Sequence, residues 1–209
     1  MAGHAHASAS AARLNLERKA FLDLLRMTNE LVEPLEIARQ LVVVAQHISG
    51  CEAVAIRLKS GPDFPYAASL GFPERFIRLE GSLCARDEDG HLLRDEQRNP
   101  ILACVCGKVL AGQTDPGSAS FTTRGSFITA STSALLDDHD RTEHLGHTRN
   151  RCHLAGFETV GLFPIRRDGV TYGLIQCNDS RPGRLTAHNL DLLEQLASSA
   201  AHLFQQAMA

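Results

Sequence analysis

Apolar side chains recur at helix or strand spacing only toward the two ends of this chain; the stretch from Gly81 to Asn150 between them is polar, glycine-rich and nearly aperiodic. Such a chain must build its sheet and packed helices from the flanks and carry its middle as a long insert, and inserts of that length are usually functional or mobile.

In the first flank, apolar residues from Leu14 to Ile48 fall three and four apart, the period of a helix. Pro34 removes a backbone donor within that pattern, so two helices joined near Glu33 are expected, the second ended by Ser49 and Gly50. Cys51 to Leu58 alternates, with Val54, Ile56 and Leu58 on one face, and predicts a half-buried strand. Tyr66 to Leu70 is a second strand and Pro73 to Arg78 a short helix. Within the insert, helical patches are expected at Ile101 to Leu110 and Ser131 to Leu145. In the closing flank, Phe157 to Pro164 and Tyr172 to Asn178 are strands about the hairpin signal Asp168-Gly169. Thr186 then caps a helix from Ala187 to Met208. The order predicts an α+β fold with an antiparallel sheet and helices on one side, and no internal repeat.

At 209 residues, 44% hydrophobic and 22% charged, one packed domain over residues 14–209 is expected, preceded by a disordered leader at 1–13. Apolar runs such as Leu41 to Ala45 are far shorter than a membrane helix, and the N-terminus lacks the pattern of a secretory signal. A cytoplasmic protein without membrane contact is expected. A net charge of -3 with dispersed Lys and Arg argues against direct nucleic-acid binding. In a reducing compartment the six cysteines are thiols, metal ligands or redox groups rather than disulfides.

Phe157-Glu158-Thr159-Val160-Gly161-Leu162-Phe163-Pro164-Ile165, followed by Gly169-Val170-Thr171-Tyr172-Gly173-Leu174-Ile175, resembles the last hairpin of GAF domains, and Thr186 to Ala201 resembles their closing helix. The likeness spans about residues 15 to 206. It implies a central antiparallel sheet with the N- and C-terminal helices on one face and a loop-rich insert, about residues 81–152, on the other. Leu83-Cys84-Ala85-Arg86-Asp87, Leu102-Ala103-Cys104-Val105-Cys106-Gly107-Lys108-Val109 and Thr148-Arg149-Asn150-Arg151-Cys152 resemble a four-cysteine subset attached to bacterial sensor histidine kinases and regulators. Within Gly125 to Thr129, Ile128 stands where that subset carries an aromatic residue. The resemblance implies a sensory input module of two-component signalling. Its terminal helices would pair in a homodimer, with Leu24, Leu31, Leu193 and Leu203 as seam candidates, and pass movement to a kinase or regulator output domain.

Cys84, Cys104, Cys106 and Cys152 all fall in or beside the insert. Four soft thiolates complete an iron-sulfur cluster or a tetrahedral zinc shell, with the cluster ranked first because C-x-C is unusual around zinc. A structural zinc contributes roughly 10 to 16 kcal/mol, enough to order an insert lacking an apolar core of its own. A cluster would sense redox state or a diatomic gas and act as a switch. Arg86, Lys108 and Arg149 nearby would favour the thiolate form. Cys51 and Cys177, on expected strands, are small buried hydrophobes. Of His139, His144, His147 and His153, the first three belong to a solvated charged stretch, while His153 is a candidate auxiliary ligand or proton donor.

Three alternatives compete. Val105-Cys106-Gly107, and Cys152 ahead of Pro164, also resemble free methionine sulfoxide reductases of the GAF type. There Cys152 would attack the sulfoxide and Cys106 resolve it, with Glu158 and Asp179 only partly matching the carboxylates that hold the substrate amine. Cys152-His153 resembles the pair that anchors a bilin in photoreceptor GAF domains. Finally, GAF pockets bind small ligands such as cyclic nucleotides, although Gly107, Gly112, Gly117 and Gly125 form no phosphate loop.

Overall fold

Pro34 starts a helix at the junction expected near Glu33. At the first helical position its missing N–H would have had no partner anyway, and helix α1 (Pro34–Ser49) follows directly from Glu33. The computed structural model describes Leu22, Arg26 and residues 33–115, 117–145 and 148–208. The expected leader and most of the expected first helix, with Leu24 and Leu31, lie outside these residues.

Strands β1 (Ala53–Leu58) and β2 (Tyr66–Leu70) follow, then helix α2 (Glu74–Leu79), α3 (Cys104–Ala111), strand β3 (Phe127–Thr129), and helices α4 (Thr132–Asp137), α5 (His139–Leu145) and α6 (Arg151–Leu154). The chain closes with β4 (Thr159–Arg167), β5 (Val170–Asp179) and α7 (Ala187–Ala207). The sheet order is β2-β1-β5-β4-β3, antiparallel throughout. The expected α+β class is therefore present. Asp168 and Gly169 join β4 to β5 with φ of 51° and 77°, the pair of left-handed residues that a tight hairpin turn requires. Thr186 caps α7 by accepting from Asn189 N, with the Asn189 side chain returning the bond.

The sheet is covered on both faces. Val54 and Ile56 of β1, Phe163 and Ile165 of β4, and Ile175 and Cys177 of β5 pack under α1 and α7. Cys51 joins the same core, just ahead of β1 rather than within it. Leu193 and Leu203 of α7 are likewise buried there, at 0% and 6% exposure, so they serve intradomain packing and are not free to form a dimer seam. All six residues of β1 are buried, not half of them as alternation suggests, because on the second face Phe76 of α2 and Phe157 pack on Ala53, and Phe64 O and Glu80 O hold the Arg57 side chain.

The insert also has a core of its own, contrary to expectation. Leu83, Val109, Leu110, Phe121, Phe127 and Leu135 pack onto Val160, Leu162 and Leu174 of the sheet. Burial of these side chains contributes to ordering the segment. An eight-residue repeat, unrecognised in the sequence, opens it: Ala85 N donates to Ile101 O, Ile101 N to Leu93 O, and Leu93 N to Ala85 O, at 2.8 to 2.9 Å. Each of the two turns between these residues is held alike, Arg86 and Arg94 donating to Gly90 O and Arg98 O, and Asp87 and Asp95 accepting from His91 N and Asn99 N. No described helix is long and apolar enough to cross a membrane.

Candidate functional site

The end of the repeat aims the first two thiols. Cys84 pairs with Leu102, and Ala103 N donates to Leu83 O at 2.7 Å, which fixes where α3 begins. Cys104, its first residue, has φ of 67°, a left-handed conformation uncommon for a residue with a side chain. Gly107 allows the close approach that follows, since a Cβ there would lie 2.3 Å from Leu102 O.

The third thiol arrives from the other end of the insert. Asn150 takes φ of 51°, which Asn tolerates, and turns the chain into α6. Arg149 and Arg151 on either side reach the buried carboxylate of Glu80, at 3.4 and 2.8 Å.

Cys104, Cys106 and Cys152 thus line one cavity of about 300 Å³ on the sheet face opposite α1 and α7. Leu135, Leu145, Val160 and Leu162 make its walls apolar, and Asn150, Arg151 and His153 also border it. His153 Nδ1 lies 3.2 Å from Thr132 Oγ1. Cys84 does not line the cavity; its sulfur points to Pro62 O at 3.6 Å. The expected four-cysteine centre therefore resolves into three cysteines together and one apart. His139 is exposed, whereas the His144 side chain and His147 lie outside the described residues.

A polar network lies behind Cys152. Gln176 Nε2 donates to Cys152 Sγ at 3.8 Å and to Asn178 Oδ1 at 3.2 Å, and Tyr66 OH donates to Gln176 Oε1 at 3.0 Å. The Arg57 guanidinium, fully buried, lies 3.6 Å from the centre of the Tyr66 ring and donates to Phe64 O and Glu80 O. Sequence reasoning missed Arg57, Tyr66, Glu80, Gln176 and Asn178. The legible signal was Gln176-x-Asn178, two polar residues on one face of β5 directly after the apolar pair Leu174-Ile175.

Positive charge does not win at these thiols. Burial, with the Cys104 sulfur adding to it, pushes Cys152 up from an ordinary 9.0 to about 12, although Asn178 and Arg57 pull the other way. Burial likewise raises Cys106 well above 9.0, again with Cys104 adding and Arg57 opposing. At Cys84 burial and the Asp63 carboxylate outweigh Arg86 and Arg149. The expectation that nearby arginines favour thiolate fails because desolvation is the larger effect.

The carboxylates considered for holding an amine are occupied elsewhere. Glu158 accepts from the hydroxyls of Ser131 and Ser133, and Asp179 is paired with Arg181. No carboxylate among the described residues lines the cavity. Ile128 packs against the helix-side core.

A tetrahedral zinc shell needs sulfurs about 3.8 Å apart, from Zn–S bonds of about 2.3 Å. Among the described residues only Asp87, Asp89 and His91, all exposed, bring three ligand atoms within 4.8 Å of one another. A one-ion thiolate shell is therefore not preformed.

Residues 33–203 match the family model described as GAF domain. No curated protein matches the chain significantly. Among solved structures, it is similar to the GAF domain of a phosphoenolpyruvate-protein phosphotransferase from Coxiella burnetii, at 12% identity over 94% of each chain with a TM-score of 0.58. It is similar to a free methionine-R-sulfoxide reductase from Neisseria meningitidis, solved with its substrate, at 13% identity over 96% of this chain and 92% of that one, TM-score 0.55. A domain of a two-component sensor histidine kinase protein from Sinorhizobium meliloti matches at 13% identity over 85% and 94%, TM-score 0.54. At such identities the likeness concerns the fold.

Proposed function

This chain belongs to the GAF domain family, and from that premise we propose that it is a sensory input domain reading cellular redox state through Cys104, Cys106 and Cys152. The observation that carries the proposal is the meeting of three thiols, from opposite ends of the insert, at one cavity. Soft sulfur donors suit a thiolate-held metal centre, an iron-sulfur cluster ahead of zinc, and such a centre supplies electron-transfer or gas-sensitive chemistry. Cys104, Cys106 and Cys152 would hold it, with Cys84 outside the set.

The sulfoxide reductase alternative is less well supported, because the cavity offers no described carboxylate to an ammonium group. Output follows from the insert's grip on α7, where Thr122 Oγ1 donates to Glu194 Oε1 at 2.5 Å and Arg124 reaches Asp191 and Glu194 at 3.4 Å. A kinase or regulator output domain in the cytoplasm, and a homodimer of the sensor, are the partners proposed.

The test is anaerobic purification followed by the visible spectrum, iron, zinc and sulfide analysis, and counting of free thiols before and after peroxide. A bound centre, or reversible loss of thiols 104, 106 and 152, supports the proposal. Metal-free protein whose three thiols resist oxidation, or which reduces free methionine sulfoxide, overturns it.

A further inference from the structure

Resting on the assignment of the three cysteines as the sensing unit, we propose that Glu80 is a positioning residue that holds the Cys152 thiol at the cavity through a closed ring of contacts. The Glu80 carboxylate receives Arg151 Nε at 2.8 Å. One residue on, Cys152 Sγ accepts from Gln176, whose carbonyl oxygen accepts from Tyr66 OH. The Tyr66 ring stacks on Arg57, and Arg57 Nη2 returns to the Glu80 carbonyl at 2.6 Å. Arg149 braces the ring from outside, donating to Ser82 O at 2.8 Å and to the same Glu80 oxygen at 3.4 Å.

Two features make Glu80 the keystone. It is 5% exposed, and it enters the ring at two points, its carbonyl oxygen accepting from Arg57 and its carboxylate receiving Arg151. Helix α6 has only four residues, too few for its own hydrogen bonds to hold Cys152 in place. Replacing the carboxylate by an amide withdraws the charge that holds Arg151 and Arg149, whose side chains are 41% and 22% exposed, and so weakens the tie between α6 and Glu80. The turn then has reason to leave the sheet, taking Cys152 with it, while Cys106 on α3 keeps its own anchorage at Leu102 and Ala103.

The experiment measures iodoacetamide alkylation of each cysteine in native, reduced, metal-free protein by peptide mass spectrometry. Glu80→Gln is expected to speed Cys152 about tenfold or more while Cys106 changes by less than about twofold, and Glu80→Gln with Arg151→Met should add little to either alone. Tyr66→Phe opens the ring on its opposite side without disturbing a charge and is expected to speed Cys152 selectively too. Equal acceleration of all cysteines, or an unchanged Cys152 in both Glu80→Gln and Tyr66→Phe, overturns the proposal. If the clamp behaves as stated but wild-type protein shows neither a centre nor oxidisable thiols, the sensing assignment fails and the clamp stands.

Discussion

The Gln176 amide donates to the Cys152 sulfur at 3.8 Å while its carbonyl oxygen accepts from Tyr66 OH at 3.0 Å, so one side chain in the middle of β5 links the thiol to β2. Gln176 is 1% exposed, and no solvent replaces what it offers. Gln176→Leu leaves the Tyr66 hydroxyl without its acceptor and should destabilise the domain by about 1 to 3 kcal/mol. Gln176→Leu combined with Tyr66→Phe should cost less than the sum of the two, as urea unfolding will measure.

Alkaline stability follows from the half-buried Cys152 thiol. Cys152 is raised from 9.0 to about 12, so its neutral form is favoured in the folded state. Its stabilising contribution is complete below pH 9.0 and disappears as pH rises to about 12. Reduced, metal-free wild type should therefore lose stability across that interval more steeply than Cys152→Ala, measured as the shift of the urea midpoint with pH.

Acid stability runs the opposite way at Glu158. Hydrogen bonds from Ser133 and Ser131 hold its carboxyl at about 2 against an ordinary 4.5. The contribution is present above pH 4.5 and is lost as pH falls toward 2. Glu158→Gln should flatten that part of the acid unfolding profile and leave the alkaline part untouched.

Much of the frame was legible in the sequence, because period and punctuation report local geometry. The Asp168-Gly169 hairpin, the Thr186 cap and the Val54-Ile56-Leu58 face all stand where their spacing puts them. The insert was not, since its core is assembled from single residues such as Leu83, Phe121 and Leu135 that leave no period in the chain. The cysteines were legible as a group but not as three and one. What separates Cys84 from Cys104 is the turn at Leu102 and Ala103, a tertiary pairing that no spacing rule encodes.

Two backbone positions at the start of α3 test the geometry of the thiol pair. Cys104 holds φ of 67°, so in reduced, metal-free protein Cys104→Gly should be neutral or slightly stabilising, whereas Cys104→Val should cost about 1 to 3 kcal/mol in thermal unfolding. Gly107→Ala sets a Cβ 2.3 Å from Leu102 O and should destabilise by a similar or larger amount, about 2 kcal/mol or more, visible in the same melt.

The central claim is that Cys104, Cys106 and Cys152 form one redox unit and that Cys84 stands outside it. The most direct measurement is iron, zinc and acid-labile sulfide per chain in anaerobically purified wild type and in the four single Cys→Ser variants. The account predicts a bound centre in wild type and Cys84→Ser that is lost from Cys104→Ser, Cys106→Ser and Cys152→Ser. Equal loss from all four variants, or retention in Cys152→Ser, would contradict it.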